Sequence, residues 1–318
     1  MNRFVVLPAG RPGARPFRQR GAAVLVAMLV VAMAALAASS FVFRAQVEWR
    51  RLENLMRQDQ AHLVLRAAER WGAAVLRDDA RQSSVDHPGE AWATQLPPVE
   101  AEGYRVSGRM QDQDGLFNLN NLVSNGAADP RQIKVMARLL GHLKLPEFLA
   151  DTLVDWMDAD ELPQNDQSAE SAYYQARPSS YRAANRPLVN VNELLRVKGF
   201  DRAVLATLRP FVTVLPSRTP VNVNTARPEV LAALVERMGL NDAYALVARR
   251  DRAYYRNLQD FQQALPSGLS MPDDLLAVSS SFFLVEARIR HERLSIASHA
   301  LFQRQGSNPP TLVWRAEI

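Results

Sequence analysis

The sequence RQRGAAVLVAMLVVAMAALAASSFVFR, residues 18–44, decides how this chain is organised. Between Arg20 and Arg44 lie 23 residues without a charge, and a helix rising ~1.5 Å per residue makes them long enough to cross a bilayer. The preceding residues, 1–21, include five arginines and no acidic residue. Because positively charged flanks stay on the cytoplasmic side, we expect a single-pass anchor with a cytoplasmic N-terminus.

The junction of the basic and apolar segments resembles a class III, type IV prepilin-like leader, which is cut on the cytoplasmic side after a glycine. Basic residues lead directly to Gly21, and Ala22 opens the apolar run. The resemblance implies that prepilin peptidase cuts between Gly21 and Ala22, removing the leader at 1–21 and leaving the apolar helix in the inner membrane. An uncleaved signal anchor is the alternative interpretation.

The fifth residue after this predicted cut is Val26, where most prepilin-like proteins have a glutamate. The resemblance to pilin-like fibres implies that this carboxylate pairs with the free amine of the subunit ahead, since an unpaired charge in hydrocarbon is costly. A subunit with nothing ahead of it gains nothing from the glutamate. Its absence is typical of the K class of type II secretion pseudopilins, the GspK-like minor pseudopilins, for which the resemblance implies a position at the fibre tip.

Composition indicates a folded chain with a neutral body. Its 318 residues are 47% hydrophobic and 22% charged, which is usual for folded proteins. The net charge of +5 equals the five leader arginines, so 33 basic and 33 acidic residues remain after residue 21. A neutral body attracts phosphate weakly, so no nucleic-acid partner is expected. The sequence has no cysteine, which excludes disulfides and thiol chemistry.

The apolar spacing after the anchor predicts one continuous helix over 21–77, with a transmembrane part at 22–43 and a periplasmic part at 44–77. Strands are predicted at 104–110, 281–290, 294–303 and 311–318. One early strand and three late ones indicate that the residues between them are an insertion. The predicted fold is α+β: a pilin-like long helix packed on a small antiparallel sheet, the core being 78–128 and 279–318.

The insertion, residues 129–278, is predicted to be mainly helical. Proline at a first helical turn and Asp129 as a cap mark the best helix start. The predicted helices are 130–143, one opening at 146, 191–197, 201–208, 228–238, 241–251, 258–264 and 272–276. Two stretches, 194–201 and 235–241, resemble helix-hairpin-helix (SAM-like) modules, but Asp201 and Asn241 replace the second glycine of each turn. Because those side chains would block close contact with phosphate, we interpret both stretches as protein-packing modules.

Four segments resemble K-class pseudopilin signatures in the same order: DGLFNLNNL at 114–122, LVDWMDADELP at 153–163, ANRPL at 184–188 and TPVNVNTA at 219–226. Together with the leader they extend over most of the chain. The resemblance implies an assembly role at the tip of the type II secretion pseudopilus with no enzymatic activity. It also implies partners: the I and J minor pseudopilins, and a contact with a secreted substrate or the outer-membrane channel.

Residues 155–170 contain six carboxylates and no basic residue. At the end of a predicted helix this arrangement is unfavourable, because the carboxylates repel each other and the helix dipole is negative there. Calcium would compensate, since it prefers carboxylate and carbonyl oxygens, and the family resemblance extends calcium binding to this loop. The candidate side-chain ligands are Asp155, Asp158, Asp160 and Glu170, and a solvated acidic loop is the alternative.

Two other classes of function stay open at this stage. One is a membrane-anchored helix-hairpin-helix receptor for DNA, which the neutral body disfavours. The other is a signal-anchored periplasmic enzyme that uses the acidic loop, although no nucleophile elbow, zinc-binding helix or phosphate loop is present in the sequence.

Overall fold

The computed structural model describes residues 20–101, 103–272, 274–291 and 294–318. The chain divides into two compact units, residues 1–60 and 61–318. The described part of the first unit is one stretch of helix α1, which runs from Arg20 to Gln82. Its apolar segment, from Ala22 onward, is long and apolar enough to cross a membrane. The predicted long N-terminal helix is therefore confirmed, while the leader before residue 20 lies outside the described residues.

Helix α1 is longer than its sequence pattern indicated. It was predicted to end at residue 77, but the helix continues to Gln82, and the Ser83 N–H still donates to the Asp79 carbonyl at 2.9 Å. Residues 78–82 contain no glycine or proline, so nothing in them breaks the helical hydrogen bonds.

The second unit contains the remaining helices and all described strands. The helices are α2 (Pro130–His142), α3 (Leu149–Met157), α4 (Ser171–Gln175), α5 (Arg202–Leu208), α6 (Pro228–Leu234), α7 (Leu240–Arg250) and α8 (Leu258–Ala264). Short 3-10 helices are Ala91–Ala93, Leu119–Leu122 and Val191–Arg196. The strands are β1 (Leu96–Ala101), β2 (Tyr104–Asp112), β3 (Phe117–Asn118), β4 (Val123–Ser124), β5 (Ala127–Ala128), β6 (Val212–Thr213), β7 (Val221–Asn222), β8 (Leu276–Ala277), β9 (Phe282–His291), β10 (Leu294–Gln303) and β11 (Thr311–Glu317).

Five strands form one antiparallel sheet in the order β1-β2-β9-β10-β11. The early strand β2 is thus paired with a late three-stranded meander, as the sequence predicted, and β1 adds a fifth strand at the edge. One face of the sheet packs on α1, where Ala61 and Leu65 meet Ile289, and Leu76 meets Phe283. These apolar contacts fix the helix against the sheet.

Strand β1 was not predicted, and it contains two prolines, Pro97 and Pro98. It pairs with β2 at the edge of the sheet, and its register shifts between Leu96 and Val99. An edge strand has one row of N–H groups that needs no partner in the sheet, so prolines are tolerated there. The irregular register falls at the two prolines.

The helices between β2 and β9 share a large apolar core that includes Leu139, Leu153 and Leu231. The helix predicted at 272–276 is wrong. Residue 276 belongs to β8, which pairs in parallel with β7. This pairing with a distant strand outweighs the local preference of Pro272 for the start of a helix. The helix predicted to reach residue 238 ends at Leu234, and Arg237 has a φ of 65°, which no helix accommodates. The short helix α4 was not predicted.

A buried polar network lies where the sheet meets the helical part. Arg304, just after β10, donates to Asp79 on α1 at 2.8 Å and to Asp86 in the loop that follows. Asn222 on β7 donates its amide to the Asp86 carbonyl at 3.1 Å and to the Asp112 carboxylate at 3.2 Å. Each of these groups has a partner, which is the condition for burying polar groups cheaply.

Candidate metal centre

The acidic loop is held by a deeply buried helix. Helix α3 packs Leu149, Leu153 and Val154 into the apolar core, and Asp158 is its C-terminal cap residue. The chain then crosses residues 159–169 and enters α4 directly after Glu170. The ends of both helices thus bring carboxylates that are 12 positions apart in sequence into one place.

Three of the four predicted ligands come together. Asp158, Asp160 and Glu170 each offer a carboxylate oxygen, and these oxygens lie within 4.8 Å of one another. Asp158 is 1% exposed and Glu170 6% exposed, whereas Asp160 is open to solvent. The cluster therefore has a buried floor and one accessible side.

Asp155 is placed differently from the other three. It is completely buried, and one of its carboxylate oxygens accepts a hydrogen bond of 3.0 Å from the backbone N–H of Gln164. The same N–H lies 3.3 Å from the second oxygen. Asp155 is not part of the close group of three. Its hydrogen bond with Gln164 instead connects the loop to the end of α3.

The buried oxygens of the cluster lack hydrogen-bond partners. Both carboxylate oxygens of Glu170 and one of Asp158 have none within the described part of the chain. Leaving a buried acceptor unsatisfied costs ~1–3 kcal/mol, and more when the group is charged. The arrangement is therefore unfavourable unless a proton or a cation binds to these oxygens.

Burial raises the pKa of two carboxyl groups in the cluster. Burial, together with the charges of Asp155, Asp158, Glu161 and Asp160, raises the pKa of Glu170 to about 8. Burial and then the charges of Asp160 and Asp155 raise the pKa of Asp158 to about 6. Near neutral pH Glu170 therefore retains a proton unless a cation displaces it.

The donor set fits a hard cation, because it consists of carboxylate oxygens, three of which are buried without a hydrogen-bond partner in the described part of the chain. Asn185, which the sequence analysis did not identify, lies beside the acidic loop. Its side-chain oxygen is buried without a partner, its amide nitrogen lies 3.4 Å from a carboxylate oxygen of Glu161, and its φ is 45°. The ANRPL segment at 184–188 resembles a K-class signature, but it is far from the acidic loop in the sequence. The sequence alone therefore did not predict that Asn185 lies close to Glu161.

A second acidic group, Asp79, Asp86 and Glu90, also has oxygens within 4.8 Å of one another. Here the Arg304 guanidinium contacts two of the three carboxylates. A protein cation therefore supplies the compensating charge at this group, and no metal is needed.

The first of the two stretches that resemble helix-hairpin-helix modules, 194–201, contains a tightly packed turn. At Gly199 the φ is 83°, and an added Cβ would lie 2.6 Å from a side-chain carbon of Leu149. Asp201 caps α5 by accepting from the Val204 N–H at 2.8 Å. A carboxylate thus occupies the helix N-terminus where a phosphate would bind. The assignment of both stretches to that motif stays a prediction.

Comparison with known proteins identifies the family. Two family models described as "Type II secretion system (T2SS), protein K" match residues 115–217 and 221–279. The type II secretion system protein K of Pseudomonas aeruginosa is 36% identical, over 85% of this chain and 84% of the relative. That of Aeromonas hydrophila is 32% identical, over 86% and 88%.

A solved structure has the same fold. It is described as the crystal structure of the GspK-GspI-GspJ complex from the type 2 secretion system of enterotoxigenic Escherichia coli. The match has a TM-score of 0.75 and 24% identity, and it covers 84% of this chain and 99% of the other. The α+β fold and the K-class resemblance predicted from the sequence are both confirmed. The chain belongs to the type II secretion system protein K family, the GspK-like minor pseudopilins.

Proposed function

We propose that this minor pseudopilin occupies the tip of the pseudopilus and primes its assembly, as a structural subunit rather than an enzyme. The observation that carries the proposal is Val26, an apolar residue at the fifth position after the predicted cut. A subunit inside the fibre would need a carboxylate there for the amine ahead of it. The inserted helices between β2 and β9 support the same position, because their bulk would obstruct a subunit stacked above.

The position within the fibre is tested by immunogold labelling of an epitope-tagged chain in assembled pseudopili. A tip subunit gives label at one end of each fibre. Label distributed along the fibre would refute the tip position, although the chain would still be a pseudopilin.

The proposed partners are the I and J minor pseudopilins. The support is the solved relative, whose description names GspK together with GspI and GspJ. Co-purification of the tagged full-length chain with both proteins from the inner membrane tests this proposal, and recovery of neither would contradict it. A contact between the assembled tip and a secreted substrate or the outer-membrane channel is part of the same proposal.

Processing at Gly21 is part of the same proposal, together with a single-pass orientation that places the N-terminus in the cytoplasm and the bulk in the periplasm. We expect Gly21→Ala to block cleavage, so that the intact mass retains the leader and secretion falls. Gly13→Ala, which changes a leader glycine away from the cut, should leave processing normal. A wild-type protein whose mass begins at Met1 would contradict the proposed cut.

We also propose that Asp158, Asp160 and Glu170 hold a calcium ion, with Asp155 fastening the loop and Asn185 contributing an oxygen. Calcium would supply positive charge to oxygens that have no protein donor. At a calcium concentration of 100 Kd, binding adds ~2.7 kcal/mol of stability. For a unit of this size we expect the melting temperature to rise by roughly 5–10 °C.

The calcium proposal is tested on the full-length protein in detergent micelles, melted with calcium or with a chelator. Glu170→Gln should abolish the shift caused by calcium. Asp166→Asn is the matched control, because Asp166 is an exposed carboxylate on the same loop outside the close group. Calcium that leaves the melting temperature of the wild-type protein unchanged would refute the site.

A further inference from the structure

The face of the sheet opposite α1 has four exposed arginines on its two central strands. Arg105 and Arg109 lie on β2, and Arg288 and Arg290 lie on β9. Arg105 is directly opposite Arg290, and Arg109 is directly opposite Glu286. We call these four residues the arginine face. They alternate with the apolar residues that pack on α1, so the strand pattern directs all four to the same side.

Charge on the arginine face is only partly balanced. Glu286 binds the Arg109 guanidinium through two contacts of 2.6 and 3.1 Å, and Glu100 lies 3.6 Å from Arg105. Within the residues that the structure describes, Arg288 and Arg290 form no ion pair. Like charges directly opposite each other weaken a strand pair, and Arg105 opposite Arg290 is such a pair. The body after residue 21 is formally neutral as a whole, so this surplus is local.

A recess of about 300 Å³ lies beside these arginines. Its lining includes Ser107, Arg288 and His299, together with the Arg109–Glu286 pair. Nitrogen and hydroxyl donors therefore surround one shallow depression, while the single carboxylate is already bound by Arg109. Such a recess suits a group that only accepts hydrogen bonds.

We propose that the arginine face binds an extended acidic segment of a partner protein, with carboxylates at alternate positions. Side chains two residues apart on one strand are ~7 Å apart and point the same way. Arg288 and Arg290 have this spacing on β9, so consecutive carboxylates on one side of an extended segment would meet both guanidinium groups. Arginine binds a carboxylate through two parallel N–H donors, which gives orientation as well as attraction. Glu100 and Glu286 lie among the arginines and would repel a uniformly negative surface. A segment with carboxylates only at alternate positions can avoid them.

The proposal is tested by fluorescence anisotropy with the full-length protein in a non-ionic detergent. The probe is a labelled peptide of alternating glutamate and serine, and the control peptide has glutamine in place of glutamate. The double variant Arg288→Gln/Arg290→Gln should bind the acidic peptide roughly tenfold more weakly. The matched control Arg252→Gln/Arg256→Gln removes the same charge from exposed positions outside the sheet and should change affinity less than twofold.

A third variant tests the face without removing an arginine. Glu286→Gln frees Arg109 from its carboxylate, so the acidic peptide should bind more tightly, and added salt should reduce that affinity. Equal binding of the glutamine peptide, or equal weakening in both arginine double variants, would overturn the proposal. Binding to anionic lipid vesicles without binding to the peptide would also overturn it, because the face would then recognise lipid headgroups.

Discussion

Replacing Arg304 by methionine removes the cation that lies between two buried carboxylates. The Arg304 side chain is 7% exposed, and those of Asp79 and Asp86 are 8% and 2% exposed. The guanidinium also donates to the Ser280 carbonyl at 2.9 Å and lies 4.6 Å from the centre of the Phe283 ring. Methionine retains most of the apolar side-chain volume, so the main loss is charge and hydrogen bonding.

Breaking a buried ion pair from one side costs ~3–5 kcal/mol, because the remaining charge has no compensation. Two carboxylates depend on Arg304, so we expect the upper part of that range near neutral pH. A cost of ~4 kcal/mol corresponds to a fall of roughly 10 °C in melting temperature for a unit of this size. Arg131→Met is the matched control, since Arg131 pairs with Asp274 at the exposed surface and should cost less than ~1 kcal/mol.

The dependence on pH separates a charge effect from a packing effect. Burial, with the Glu90 and Asp86 charges, raises the pKa of Asp79 to about 6, although Arg304 lowers it. Burial also raises the pKa of Asp86 against the effect of Arg304. Groups whose pKa is raised by folding stabilise the fold fully below the unfolded value of ~4, and this contribution is lost as the pH rises through about 6.

Without Arg304 the two carboxylates should retain their protons to still higher pH. The stability difference between wild type and Arg304→Met should therefore be small at pH 4 and grow towards pH 8. Thermal melts of both full-length proteins across this range measure the difference directly. An equal loss at both ends of the range, or a loss no larger than that of Arg131→Met, would refute the charge argument.

Three further changes test other parts of the structure. Gly199→Ala should lower stability more than Gly268→Ala in thermal melts: both glycines have a positive φ, but only the first would place a Cβ against a neighbouring side chain. Burial raises the pKa of Glu170 to about 8. In the presence of a chelator the melting temperature should therefore fall as the pH rises through about 8, because Glu170 then loses its proton, and added calcium should reverse this fall. Glu69→Ala should cost ~1–3 kcal/mol in equilibrium unfolding, because it leaves the Ser298 hydroxyl without its buried acceptor and the partly exposed Arg315 guanidinium without its carboxylate.

Sequence patterns predicted the elements that depend on local periodicity. The apolar run predicted the long helix, and alternation predicted strands close to β2, β9, β10 and β11. Elements set by distant partners were missed or misassigned. Strand β1 contains two prolines that only an edge position tolerates. Residues 276–277 form a strand because β7 is beside them, and no local signal describes that neighbour.

The same limit applies to the candidate metal centre. Charge density along 155–170 was sufficient to identify the cluster, because its carboxylates come from two ends of one loop. It was not sufficient to separate Asp155, whose carboxylate accepts a backbone N–H, from the close group of three. Asn185 was missed because it lies 24 positions beyond Glu161 in the sequence, and only folding brings its side chain beside the loop.

The two acidic groups differ in the origin of their compensating charge. In the group of Asp79, Asp86 and Glu90, the first two carboxylates form ion pairs with Arg304. Arg304 is 218 positions beyond Asp86 in the chain. Among the described residues no basic side chain pairs with Asp158, Asp160 or Glu170, and three of their oxygens are buried without a partner there. A count of charges that are close in the sequence would treat both groups alike. Such a count cannot include the Arg304 guanidinium, which reaches Asp79 and Asp86 only in the folded protein. The absence of a buried donor around the second group, within the described residues, is what makes it the better candidate for a bound cation.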